Sequence, residues 1–127
     1  MKIILMVGTG SFIGGVSRYL LSLLIKEKIS GVFPWATFTV NIIGCSLIGL
    51  AYVMMERHNL ADEWKLFFTT GILGGFTTFS AFSFEGVQLF REGQIAIAVV
   101  YTMTSVIVGL LSTYLSYKFS ANLYDHL

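Results

Sequence analysis

The sequence holds one cysteine, Cys45, one proline, Pro34, and two histidines, His58 and His126. Each scarcity closes off a class of chemistry. A single thiol in an apolar run builds neither a disulfide framework nor a soft-metal cluster, and packing is its default role. The two histidines fall in a loop and in the tail. With no metal-ligand spacing and no nucleophile–base arrangement around them, the chain does not read as an enzyme. Charge is scarce as well: eight Lys and Arg and seven Asp and Glu make up 12% of the 127 residues and leave a formal net charge of +1. No basic face is available to follow a phosphate backbone, so nucleic acid is not an expected partner.

Apolar residues are what the chain has in abundance, at 55% of the total and with eleven Phe. A soluble domain of this size could not hide that excess in one core, so the solvent is lipid. Crossing a hydrocarbon layer of ~30 Å takes ~20 mainly apolar residues in a helix. Four segments qualify, at about residues 3–25, 35–55, 65–91 and 94–117. The first is too long for the ~7–15-residue apolar region of a secretory signal and lacks a convincing cleavage site, which predicts a retained helix. The second is entered through Phe33-Pro34-Trp35, where Pro suits a first helical turn and Trp a headgroup boundary. No loop is long enough to be a domain, so residues 1–127 are expected to form one four-helix membrane domain.

Four spans place Lys2, Arg57, Lys65 and Lys118 on one side and Lys26, Lys28 and Arg91 on the other. Lys and Arg set membrane orientation, and four against three is almost no bias. Two readings follow. Either the small excess sets a single orientation with both termini cytoplasmic, or the chain inserts both ways and opposed copies pair about an axis in the membrane plane. Gly8, Gly10, Gly14 and Gly15 in the first span and Gly44 and Gly49 in the second allow the close backbone approach an assembly needs, though packing within one chain needs it too. Gly8-Thr9-Gly10 resembles the start of a dinucleotide-binding turn, but the third glycine is misplaced and no βαβ unit surrounds it.

Polar groups at membrane depth must be satisfied, and those retained there are functional candidates. Arg18 has two readings: a donor to headgroups, helix ends and carbonyls, or an anion-attracting charge at a vestibule. Asn41 shares a helix face with Thr37, four residues earlier, and serves either as a donor in a polar line or as a tie between helices. In the third span Gly71, Gly74 and Gly75 weaken helicity just before Phe76, Thr77, Thr78 and Phe79. A local break there would free carbonyls able to coordinate a cation, although glycine and threonine also occur in continuous membrane helices. Beyond it, Phe79 and Phe82 form an aromatic stripe and Ser80 and Ser83 a hydroxyl stripe. Such a stripe is usually packing, yet the positive edge of a Phe ring also attracts an anion. Glu85 is the carboxylate well inside a span, able to satisfy helix ends or Arg18 or to carry protons. Tyr101 and Ser105, four apart, extend the polar track into the fourth span.

The run Gly74-Gly75-Phe76-Thr77-Thr78-Phe79-Ser80-Ala81-Phe82-Ser83 with Glu85 resembles the signature of the CrcB/Fluc fluoride channel family. Asn41 after Thr37-Phe38-Thr39, and Arg18 after Gly14-Gly15, stand in the order that family has them. The resemblance covers all four spans. It implies an all-α integral membrane protein of four helices, the third broken near its middle, acting as an antiparallel dual-topology homodimer in the bacterial inner or plasma membrane. Two pores lined by both subunits would pass fluoride passively and exclude chloride, lowering cytoplasmic fluoride. Phe79 and Phe82 would be the pore phenylalanines and Asn41 the pore amide, with Thr78, Ser80, Tyr101 and Ser105 in the polar track and Arg18 in the vestibule. Backbone carbonyls of Gly74 and Thr77 from both subunits would hold a structural sodium ion at the dimer centre. One departure is Gly109, where some relatives carry a second hydroxyl of the fourth-helix track; Ser112 does not simply replace it.

A small multidrug exporter also has four helices, but it needs a carboxylate in the first span, and here there is none; Glu85 would have to be recruited. A purely structural protein would have no use for a broken helix bearing paired Phe and Ser stripes.

Overall fold

Away from water each peptide N–H and C=O has to find its partner within its own segment, and apolar runs free of internal proline do so as helices. In the computed structural model, which describes residues 1–126, this gives four spans. The first is α1, Lys2–Lys28, and the second α2, Trp35–Arg57. The third, Asp62–Arg91, is composite: α3 (Asp62–Leu66), a π-helical segment (Phe67–Leu73), the single turn α4 (Gly74–Phe76) and α5 (Phe79–Arg91). The fourth is α6, Ile95–Asp125. Each span is long and apolar enough to cross a membrane, and the protein is a multi-pass membrane protein.

The third span is broken where its glycines and threonines predicted. Thr77 (φ −83°, ψ 159°) and Thr78 (φ −149°, ψ 110°) are extended, and helix resumes only at Phe79.

Burial is the reverse of a soluble domain. Phe12, Leu20, Leu110 and Phe119 are exposed along the spans, as lipid-facing side chains are, and the enclosed core is small, with Val40, Ala98 and Tyr101 at its centre. Close backbone packing replaces a large apolar core. The helices α2 and α6 run in the same direction. The Thr113 hydroxyl donates to the Cys45 carbonyl at 2.9 Å, and a side chain on Gly49 would collide with the Ser116 hydroxyl and the Thr113 carbonyl. Where both helices end, Arg57 pairs with Asp125 and His58 meets Tyr124.

In the same way α1 runs alongside the third span. Lys2 pairs with Glu63 at 2.8 Å at one end. Further along, a Cβ on Gly10 would stand 2.7 Å from the Phe67 carbonyl oxygen and 2.9 Å from the Gly71 Cα, and one on Gly14 would overlap the Ile72 carbonyl. Gly75 in turn lies against Ser11, whose Cα a side chain there would approach to 2.9 Å. Gly10 and Gly14 therefore serve packing within the chain. Gly8 and Gly15 have open space in front of them.

Candidate functional site at the break in the third span

A helix that stops inside a membrane strands the carbonyls of its last turn, and one that starts there strands its first N–H groups. Asn41 of α2 handles both problems for Thr78. Its Oδ1 accepts from the Thr78 N–H at 2.8 Å and its Nδ2 donates to the Thr78 carbonyl at 3.1 Å, so one amide replaces two lost backbone bonds. The Thr78 hydroxyl then caps α5 by accepting from the Ala81 N–H at 3.2 Å. On the other side of the break, the N–H and the hydroxyl of Thr77 both donate to the Leu73 carbonyl at 3.0 Å. From α1, Arg18 Nε donates to the Gly75 carbonyl at 3.2 Å.

These bonds have a consequence for the carbonyls of Gly74 and Thr77. In an unbroken helix their donors would be the N–H groups of Thr78 and Ala81, four residues on. Thr78 gives its N–H to Asn41 and Ala81 gives its own to the Thr78 hydroxyl. Both carbonyls have thus lost their helical donors, and both residues border the same open cavity of about 390 Å³.

That cavity gathers most of the residues singled out in the sequence. Asn41, Gly74, Thr77, Thr78, Phe79, Phe82 and Ser105 all line it. Phe79 is 79% exposed, with its ring centroid 5.6 Å from that of Phe82. The Ser105 hydroxyl is buried, with no hydrogen-bond partner among the described residues. Ser80 stands beside the cavity, its hydroxyl 3.3 Å from that of Thr78.

Tyr101 and Arg18 do not join this group. Tyr101 is fully buried behind Phe82, ring centroids 5.2 Å apart, and Arg18 reaches the break from the α1 side. Tyr101 belongs to a second polar cluster around Glu85. The Thr37 hydroxyl donates to Glu85 Oε1 at 2.7 Å and the Tyr101 hydroxyl to Oε2 at 2.8 Å. Glu85 therefore takes its partners from α2 and α6 rather than from Arg18. It also faces a cavity of about 210 Å³ beneath the α1–α2 connection, bordered by Lys26, Gln88 and Glu92. The Thr37–Asn41 spacing was visible in the sequence, but one helix turn separates their tasks: Asn41 holds the break and Thr37 holds Glu85.

Known proteins similar to the chain fall in one family. The family model described as "CrcB-like protein, Camphor Resistance (CrcB)" matches residues 5–117. Curated relatives named "Fluoride-specific ion channel FluC" include one from Flavobacterium psychrophilum, 45% identical over 115 residues that cover 90% of this chain and 93% of that protein. One from Phocaeicola vulgatus is 42% identical, covering 91% of this chain and 95% of its own length. Another, from Agrobacterium fabrum, is 39% identical over 122 residues, with 95% and 98% covered. A match that runs through all four spans and the break between them shows that the chain belongs to the CrcB family.

Proposed function

We propose that the chain is a fluoride-selective channel through which fluoride leaves the cell passively, built as an antiparallel homodimer with a structural sodium ion at its centre. The names of its relatives support the ion. The observation that carries the reading is the convergence of the Asn41 amide, the Ser105 hydroxyl and the Phe79 and Phe82 rings on one cavity at the break. Polar groups at membrane depth are costly to keep there, so several of them gathered on one cavity beside aromatic rings mark a candidate ion path.

Fluoride is small and strongly hydrated, so a pathway has to replace its water with donors and positive ring edges set too closely for larger halides. Ser105 supplies a hydroxyl and Asn41 an amide whose second N–H is not consumed by Thr78, while Phe79 and Phe82 supply edges. The α5 N-terminus opens at the break, and its dipole favours an anion there. Thr78 and Ser80 extend the donor line towards it, Tyr101 backs Phe82 with its O–H given to Glu85, and Arg18 adds positive charge at the vestibule.

The residues also fit a cation. The carbonyls of Gly74 and Thr77 lie at the C-terminal end of a half-helix, have lost their helical donors and border an open face. Two copies related by a two-fold axis would present four such oxygens, a set suited to a hard monovalent ion. Bound sodium would neutralise those oxygens and hold the two breaks together. The near-balance of Lys and Arg supports opposed copies, as does the exposure of Phe79, which a partner would cover.

Anion efflux from liposomes containing the purified protein tests the reading. Fluoride is expected to leave rapidly without a proton gradient while chloride is retained. Equal passage of both halides, or strict coupling of fluoride movement to protons, would overturn it.

A further inference from the structure

We propose that Arg18 is a positioning residue for the cation site: by holding the Gly75 carbonyl it leaves the oxygens of Gly74 and Thr77 as the pair that faces the ion. This rests on the sodium reading above and adds to Arg18 a task distinct from attracting anions.

A helix ending at Phe76 strands more than two carbonyls. In a continuous helix Gly75 would accept from the N–H of Phe79, but Phe79 lies beyond two extended residues and opens a new helix. Left unpaired, the Gly75 oxygen would compete for the cation or draw the last turn out of shape. Arg18 Nε takes it at 3.2 Å. The guanidinium thus supplies a charged donor in place of the helical N–H···O hydrogen bond that the break removes.

The approach depends on the packing around it. Gly14, one turn before Arg18, lies against the backbone of Ile72 and Phe76, and Gly75 lies against Ser11. With no side chain at either glycine, α1 comes close enough for Arg18 to reach over the end of α4. Among the described residues no carboxylate pairs with Arg18, so this peptide oxygen is the partner that holds it. The break is thereby gripped on two sides, by Arg18 on Gly75 and by Asn41 on Thr78. The carbonyls of Gly74 and Thr77, which have lost their helical donors, are held by neither grip.

Sodium-dependent stability tests this without relying on flux. The purified full chain in detergent is melted across a sodium chloride series, with N-methyl-D-glucamine chloride holding ionic strength constant. An ion that binds the folded state raises the melting temperature with a definite half-saturation. Loss of one charge-assisted bond corresponds to about a tenfold change in affinity. Arg18→Gln is therefore expected to shift the half-saturating sodium concentration upward about tenfold. Arg18→Lys, which retains charge and a donor, is expected to recover part of that shift. Arg18→Gln that assembles with an unchanged sodium half-saturation overturns the proposal, including the case where fluoride flux falls, which would assign Arg18 to the vestibule alone. A wild-type protein that sodium does not stabilise overturns the cation site and this inference together, leaving the fluoride pathway to be judged by efflux.

Discussion

Asn41 and Phe82 separate two kinds of residue that the sequence presents alike, as polar or aromatic groups in an apolar helix. Asn41 is bonded into the break through both ends of its amide, so Asn41→Ala strands the N–H and the carbonyl of Thr78 at membrane depth. Thermal unfolding in detergent should show a loss of about 1–3 kcal/mol per stranded group, and fluoride efflux should fail with it. Phe82 has its ring against Phe79 on one side and Tyr101 on the other and makes no backbone bond that Ile could not make. On the proposed function, Phe82→Ile should abolish fluoride efflux while leaving the assembly state unchanged by size-exclusion chromatography. Flux at the wild-type rate would remove Phe82 from the pathway. The two outcomes differ because Asn41 supports the scaffold on which Phe82 is displayed.

At the scale of elements, the association of α1 with the third span is the contact most sensitive to a single atom. Gly14→Ala would place a methyl group against the Ile72 carbonyl and 2.8 Å from the Phe76 nitrogen, both backbone atoms of the segment that leads into the break. Overpacking of this kind costs about 1–3 kcal/mol, and the displacement would pass directly to Gly75 and Arg18. The expected result is a lower melting temperature together with reduced flux. Gly15→Ala, one residue on, faces open space and serves as the control; a melting temperature lowered equally by both would mean that the packing is not specific. The glycines were plain in the sequence, but which of them meet backbone was not, because that depends on how the two spans are rotated about their axes.

For the molecule as a whole, orientation is decided by a handful of exposed charges. Removing Lys26 and Lys28 by substitution with Gln would leave Lys2, Arg57, Lys65 and Lys118 on one side against Arg91 alone on the other. Both lysines are exposed and outside the ion pairs of the described residues, so folding should change little. C-terminal reporter fusions should then report one orientation, with the Lys2 side cytoplasmic, where the proposed antiparallel dimer requires the wild type to report two. Flux should fall as opposed partners become rare and should recover on co-expression with an oppositely biased variant. A wild type that already reports a single side would remove the antiparallel dimer.

The membrane class, the four spans and the weakness at Gly74–Thr78 were all legible in the sequence, because they follow from local quantities: apolar run length against bilayer thickness, and the low helix propensity of neighbouring glycines and β-branched residues. Composition alone left open whether that weakness is a break. Tertiary structure decided it, since two extended threonines are stable at membrane depth only when Asn41, 37 positions away, and Arg18, 57 positions from Gly75, take up the freed peptide groups. It likewise gave Glu85 to Thr37 and Tyr101, brought Ser105 to the cavity that Asn41 and Phe82 line and set Gly10 and Gly14 against backbone. Such pairings depend on how separate helices are rotated and shifted against one another, and no single helix's periodicity records that.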